Sequence, residues 1–168
     1  MVIHTQKETL VQALSSGAKN DKIGFVPTMG ALHKGHISLV KSALENNDVV
    51  VVSIFVNPTQ FNNSADLEKY PRTPEDDISL LKKLKGDVIV YLPEVSDLYD
   101  ASVSAKKYNF GNLENEMEGK HRKGHFDGVG TIVSKLLKIV KPNTITSLNN
   151  IKELNKYRLR FISLLYFT

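Results

Sequence analysis

The run Val49-Val50-Val51-Val52-Ser53-Ile54-Phe55-Val56 constrains this chain more than any other stretch. It is apolar throughout instead of alternating. Such a run is expected of a strand covered on both faces, as in a parallel sheet between helices. Two shorter runs share this character. Ile23-Gly24-Phe25-Val26 reads as a buried strand that breaks at Pro27, and Asp87-Val88-Ile89-Val90-Tyr91 as a third strand. Helical patterns lie between them. Thr5-Gln6-Lys7-Glu8 reads as a capping box opening a helix with Leu10, Val11 and Leu14 on its apolar face, which Gly17 can end. Residues 35–46 form a second helix, with Ile37, Val40 and Leu44 on one face. Thr73-Pro74-Glu75-Asp76 starts a third, with Thr as cap, Pro in the first turn and acids at the positive helix end. The strongest spans 126–140. Residues 57–72 read as a polar loop, and residues 100–124 as irregular, with a short strand near 107–110. Strand and helix alternate without internal repeat, which predicts the α/β class with a parallel sheet.

With 168 residues, 41% of them hydrophobic and 24% charged, the chain fits one globular domain with a core. No apolar run approaches the ~20 residues that span a bilayer, so no membrane role is expected, and the N-terminus lacks a signal-peptide pattern. The absence of cysteine excludes disulfides, thiolate metal sites and a cysteine nucleophile. The net charge is +4, yet basic and acidic residues interleave, so no nucleic-acid partner is expected. A mild positive surplus also suits a pocket for anionic substrates.

Three constellations can carry chemistry. The first is His33-Lys34-Gly35-His36, between the first predicted strand and its helix. Ligands of open parallel sheets bind at the carboxyl ends of strands, where a helix amino terminus favours phosphate. Two histidines three apart can act there as donors to one phosphate group as pyrophosphate leaves. Gly35 permits close backbone approach. Thr28 and Met29 lead into the motif, one offering a hydroxyl and the other a soft apolar surface. The plain alternative is a pair of solvated histidines at a helix start; no third ligand suggests a metal. The second constellation is Asn57-Pro58-Thr59-Gln60-Phe61, whose carboxamides suit hydroxyl or carboxylate recognition or simply form a turn. The third is the basic segment 118–126. Its Arg122 and His125 can contact a nucleotide or substrate, or belong to a solvated loop.

Taken together, these segments resemble the pantothenate synthetase (pantoate–β-alanine ligase) family. The resemblance is carried by GFVPTMGALHKGHISLV at 24–40, DVVVVSIFVNPTQFNNSADLEKYPRTPEDD at 48–77 and EGKHRKGHFDGVGTIVSKLLKIVKPN at 118–143. It implies a Rossmann-like parallel sheet flanked by helices, of the HxGH nucleotidylyltransferase type shared with class I aminoacyl-tRNA synthetases. It implies two-step chemistry. ATP, with Mg²⁺ on its phosphates, and pantoate give pantoyl adenylate and pyrophosphate; β-alanine then gives pantothenate and AMP. On the family's pattern His33 and His36 are catalytic. Met29, Gly35, His36, Arg122 and His125 line the ATP, and Gln60, Asn57, Phe61 and Thr28 the pantoate. A cytoplasmic homodimer is implied as well.

The pattern is interrupted in two places. Lys123 stands where many family members carry Pro. After Asn143 the family continues with an FGxKDxQQ-like strand, an SSRN-like segment and a smaller C-terminal domain. None of these is found in residues 144–168. The expected organisation is therefore a nucleotide-binding domain over 1–143 and a divergent tail over 144–168. That tail reads either as an amphipathic helix through Ile151, Leu154, Tyr157, Phe161 and Leu164 or as out-of-frame translation. The alternative function is a catalytically impaired remnant that only binds nucleotide or dimerises.

Overall fold

A computed structural model describes residues 1–18, 20–99, 102–109, 122 and 124–147. Strands β1 (Val2–His4), β2 (Ile23–Thr28), β3 (Val49–Ile54), β4 (Asp87–Tyr91) and β5 (Thr144–Ile145) form one sheet in the order β1-β4-β3-β2-β5. Every pairing is parallel. The helices are α1 (Lys7–Ser16), α2 (Lys34–Asn46), α3 (Ser64–Lys69), α4 (Pro74–Lys82), α5 (Val95–Leu98) and α6 (His125–Val140), with a 3₁₀ turn η1 at Pro58–Gln60.

The unbroken apolar run of β3 is explained by the core. Val50 and Val52 join Val26, Val88 and Val90 beneath Val40 of α2 and Leu81 of α4. Val51, with Phe55 just beyond the strand, packs on the opposite face with Phe25, Tyr91, Leu10 of α1 and Ile132, Leu136 and Val140 of α6. Successive side chains thus enter different cores, and burying each valine contributes about 1.5–3 kcal/mol. Chain order runs β2, β3, β4 in one direction across the sheet, whereas β5 lies on the other side of β2. The strand order therefore reverses beside β2, where ligands of such sheets bind.

Several expectations are corrected. β2 does not break at Pro27 but continues to Thr28, with Pro27 opposite Ser53. The Thr28 carbonyl accepts from Phe55 N (3.1 Å) on the β3 side and the Phe25 carbonyl from Thr146 N (2.9 Å) on the β5 side. Alternation turns Pro27 away from β3, so its missing N–H costs that ladder nothing. No Thr5 capping box forms. Gln6 is the N-cap of α1 and makes no side-chain cap bond. Instead the distant Asp97 carboxylate accepts from Lys7 N at 3.1 and 2.9 Å. An anion at the positive helix end is a stronger acceptor than a hydroxyl. Asp97 also accepts from the Tyr91 hydroxyl (2.5 Å). Burial, followed by that bond, raises the Tyr91 pKa well above its ordinary value.

Thr73 is the N-cap of α4, as expected, but its hydroxyl makes no backbone cap bond. Residues 102–109 contain no strand, and Phe110 lies outside the described residues. The segment docks on α6 instead: Lys106 N donates to Thr131 Oγ1 (2.8 Å), Tyr108 N to Asp127 Oδ1 (2.9 Å), and Lys107 Nζ pairs with Asp127 (2.8 Å). At the far end, the sheet continues past residue 143. Thr144 and Ile145 pair with Gly24 and Phe25, and Asn143 exchanges bonds with Ile23 through backbone N (2.8 Å) and Oδ1 (2.7 Å). The helix expected through Ile151 to Leu164 lies outside the described residues.

Leu81 is 1% exposed and Val11 43%. Leu81→Ala is expected to lower the unfolding free energy by about 2–5 kcal/mol, and Val11→Ala by less than about 0.5 kcal/mol. Urea titration followed by circular dichroism measures both.

Candidate active site

The loop from β2 to α2 emerges at the carboxyl end of the sheet and contains two consecutive left-handed residues, Gly30 (φ 82°) and Ala31 (φ 49°). For alanine this conformation costs about 1–2 kcal/mol, so the loop must be held by other contacts. Gly30 N donates to Thr28 Oγ1 (3.3 Å), while Ala31 N and Leu32 N donate to the Asp77 carboxylate at 3.0 and 2.6 Å. Asp77 comes from α4 and is buried.

The two histidines then cap α2 reciprocally. Gly35 N donates to His33 Nδ1 (3.1 Å), and His33 N donates to His36 Nδ1 (3.3 Å). The imidazole centroids are 4.3 Å apart. A ring nitrogen that accepts from N–H carries no proton, so both neutral rings are held with the proton on Nε2. Neither Nε2 is used in the hydrogen bonds of the loop. Burial, then the neighbouring His33, lowers the His36 pKa below its ordinary 6.5, and Asp77 opposes that shift. Burial thus disfavours a charge on His36, and the Nδ1 contacts leave the Nε2 of each ring to act as an N–H donor.

β3 lies beside β2, with Ile54 opposite Thr28, and delivers η1 to the same end of the sheet. α6 holds η1 tightly. A Cβ on Gly128 would lie 2.1 Å from the Thr59 carbonyl oxygen. Asn57 Nδ2 donates to Gly128 O (3.1 Å), and Asn57 Oδ1 accepts from the Tyr99 hydroxyl (2.7 Å). The Gln60 carbonyl contacts His125 Nδ1 at 3.0 Å and accepts from Arg122 at 3.3 Å. Gln60 is 7% exposed, and its Oε1 has no hydrogen-bond partner among the described residues.

The residues singled out from sequence therefore fall into distinct positions. His33, Gly35 and His36 share the first turn of α2, and Met29 lies half-buried just before it. The Thr28 hydroxyl donates to Ser53 O (2.7 Å), and Asn57 is engaged on both ends of its amide, so both support the loops from within. Phe61 stacks edge-on against Tyr70, with centroids 5.6 Å apart. Arg122 and His125 grip the Gln60 backbone. Of the segment 118–126, the stretch 118–121 and Lys123 lie outside the described residues. Sequence reasoning missed Asp77, Tyr99 and Gly128. A cavity of about 700 Å³ opens at the ends of β3 and β4 beneath α3. Its lining includes Met29, Gly30 and Asp77 but, among the described residues, neither histidine nor Gln60.

A parallel α/β sheet with a histidine-capped helix where its strand order reverses defines a Rossmann-like fold of the HxGH nucleotidylyltransferase type. Residues 2–147 match the pantoate-beta-alanine ligase family, and the chain belongs to it. Pantothenate synthetase of Flavobacterium psychrophilum is 62% identical over 120 residues, covering 71% of this chain and 43% of that protein. That of Christiangramia forsetii is 49% identical over 144 residues, covering 85% and 51%. The crystal structure of pantoate-beta-alanine ligase from Francisella tularensis, complexed with beta-gamma ATP and beta-alanine, superposes with a TM-score of 0.84 at 43% identity, covering 98% of this chain and 61% of that one. The chain spans about half the length of the curated relatives it matches. No helix among the described residues is long and apolar enough to cross a membrane.

Two outcomes are expected. Because folding lowers the His36 pKa, the unfolded chain binds more protons below 6.5, and stability rises with pH through that window. Unfolding free energy should therefore fall as the pH drops from 6.5 toward the folded His36 value, and His36→Gln should flatten that slope in urea titrations. Gly128→Ala should destabilise by about 1–3 kcal/mol through overpacking against η1, and the Gln60 amide resonance should move with it.

Proposed function

We propose that this chain supplies the nucleotide-binding half of an ATP-dependent ligase that condenses pantoate with β-alanine to give pantothenate, AMP and pyrophosphate. The carrying observation is which polar atoms lack a partner among the described residues. At the carboxyl ends of β2 and β3 these include Nε2–H of His33 and His36 and Oε1 of Gln60. The first two are donors suited to a polyphosphate. The third is a buried acceptor, which costs about 1–3 kcal/mol if left unmade and which a substrate hydroxyl can satisfy.

In the first step a pantoate carboxylate oxygen attacks the α-phosphorus of ATP. The bond to the bridging oxygen breaks, pyrophosphate leaves and pantoyl adenylate remains. His33 and His36 donate to the departing phosphates as their charge grows, a stabilisation typically worth roughly 10²–10³ in rate per donor. Met29 and Gly35 lie along the nucleotide, and Arg122 and His125 close that side through the Gln60 carbonyl. In the second step the β-alanine nitrogen attacks the acyl carbon, the bond to AMP breaks and the nitrogen loses a proton. Mg²⁺ would arrive with ATP and would offset the charge of its phosphates. The donors here are imidazole and carboxamide, and among the described residues no three carboxylates or imidazoles converge to cage a hard cation. The family resemblance supports a cytoplasmic homodimer.

A second reading is a remnant that binds nucleotide or dimerises without turnover; it is favoured by residues 144–168, which diverge from the FGxKDxQQ-like pattern that would add charge on the phosphates.

Calorimetry and a coupled assay test both readings. The unmodified chain is expected to bind MgATP, and His36→Ala to weaken that binding about tenfold, or ~1.4 kcal/mol. Gln60→Ala should weaken pantoate and leave MgATP unchanged. Binding without pantothenate formation selects the second reading, and absence of MgATP binding overturns the proposal.

A further inference from the structure

We propose that Asp77 is a positioning residue for the histidine pair, its carboxylate on α4 fixing the turn that aims both Nε2 atoms. The proposal deepens the ligase reading and rests on it for the meaning of the histidines.

Asp77 is 1% exposed, on a helix whose first turn also carries Glu75 and Asp76, both exposed. Its Oδ1 accepts from Leu32 N (2.6 Å) and, more weakly, from the Thr73 hydroxyl (3.4 Å), and its Oδ2 from Ala31 N (3.0 Å). These two amides lie at and just after the left-handed pair Gly30–Ala31, where no strand or helix ladder satisfies them. The carboxylate takes their place, and it lies so close to Gly30 that a Cβ there would meet Oδ2 at 3.1 Å. The fit is mutual: glycine makes room for the carboxylate, and the carboxylate holds the turn against the strain of Ala31.

The histidine cap begins at the next residue. His33 N is the donor that holds His36 Nδ1, so its direction follows directly from the Leu32 peptide. If the turn relaxes, both Nδ1 contacts loosen and the rings lose their single tautomer. Asp77 also acts on His36 by charge. The titratable groups acting on that ring are His33, from its own turn, and Asp77, from α4.

A purely structural role predicts only lost stability, so the test reads the rings. Asp77→Asn in the full chain keeps the shape but turns an NH₂ toward a backbone N–H. Nitrogen-15 spectra of the imidazoles are expected to show mixed tautomers in place of one Nε2–H form. His36 is expected to titrate at lower pH than in the unmodified chain, and MgATP affinity to fall about tenfold. Leu81→Ala, on the same helix, serves as the control for lost stability and should leave the ring spectra unchanged. A folded Asn variant with unchanged tautomers and titration overturns the proposal. If that variant does not fold, hydrogen exchange in the unmodified chain decides: protected Ala31 and Leu32 amides support the proposal, and exchange at free-loop rates overturns it. Should the unmodified chain bind no MgATP, the ligase reading fails, while the ring spectra still decide the role of Asp77.

Discussion

The pairing of β2 with β3 is the constraint on which the remainder depends. Its register, from Ile23 opposite Val49 to Thr28 opposite Ile54, ends both strands level. The histidine loop and η1 therefore leave the sheet side by side. The same pairing holds Val51 and Val52 in opposite cores, so the helices that cover the sheet are fixed by the strands that carry the site. A slip of one residue would exchange the two faces and separate the loops.

Most polar groups near these loops are satisfied inside the protein. The Thr28 hydroxyl, the Asn57 carboxamide, the Asp77 carboxylate and the Nδ1 atoms of both histidines all hold backbone or side-chain partners. That satisfaction is what makes the remaining groups conspicuous. The Nε2 atoms of both histidines, the buried Gln60 Oε1 and the buried Ser53 hydroxyl are without a hydrogen-bond partner among the described residues, while their neighbours are engaged. The contacts that orient the rings place an acceptor role on each Nδ1, and so fix which nitrogen can donate.

Much of this was legible in the sequence. β3, β4, α2 and α6 carry strong periodic or unbroken apolar patterns, and the histidine motif stands where a strand hands over to a helix. Short elements left no such trace: β1, α5 and β5 are each four residues or fewer and are specified by their neighbours. The start of α1 was misread because its anion comes from Asp97, ninety residues away in the chain. Asp77 looked like one of three acids at a helix start, and sequence cannot say which of them turns inward. Thr28 and Asn57 carry chemistry that suits a ligand, and sequence gives no sign that these atoms also hold partners within the fold. Gly128 was one glycine among several until its contact with Thr59 set it apart.

Pro27 has a consequence at the reversal of strand order. Its backbone faces the β5 flank, where pairing runs from Ile23 to the bond between Phe25 and Thr146. An ordinary residue there would expose an amide seeking a further rung. An imino acid has none to offer, so the seam between β2 and β5 can part at that point without orphaning a donor. The ladder between β2 and β5 therefore ends just below the histidine turn because one proton is missing from the backbone.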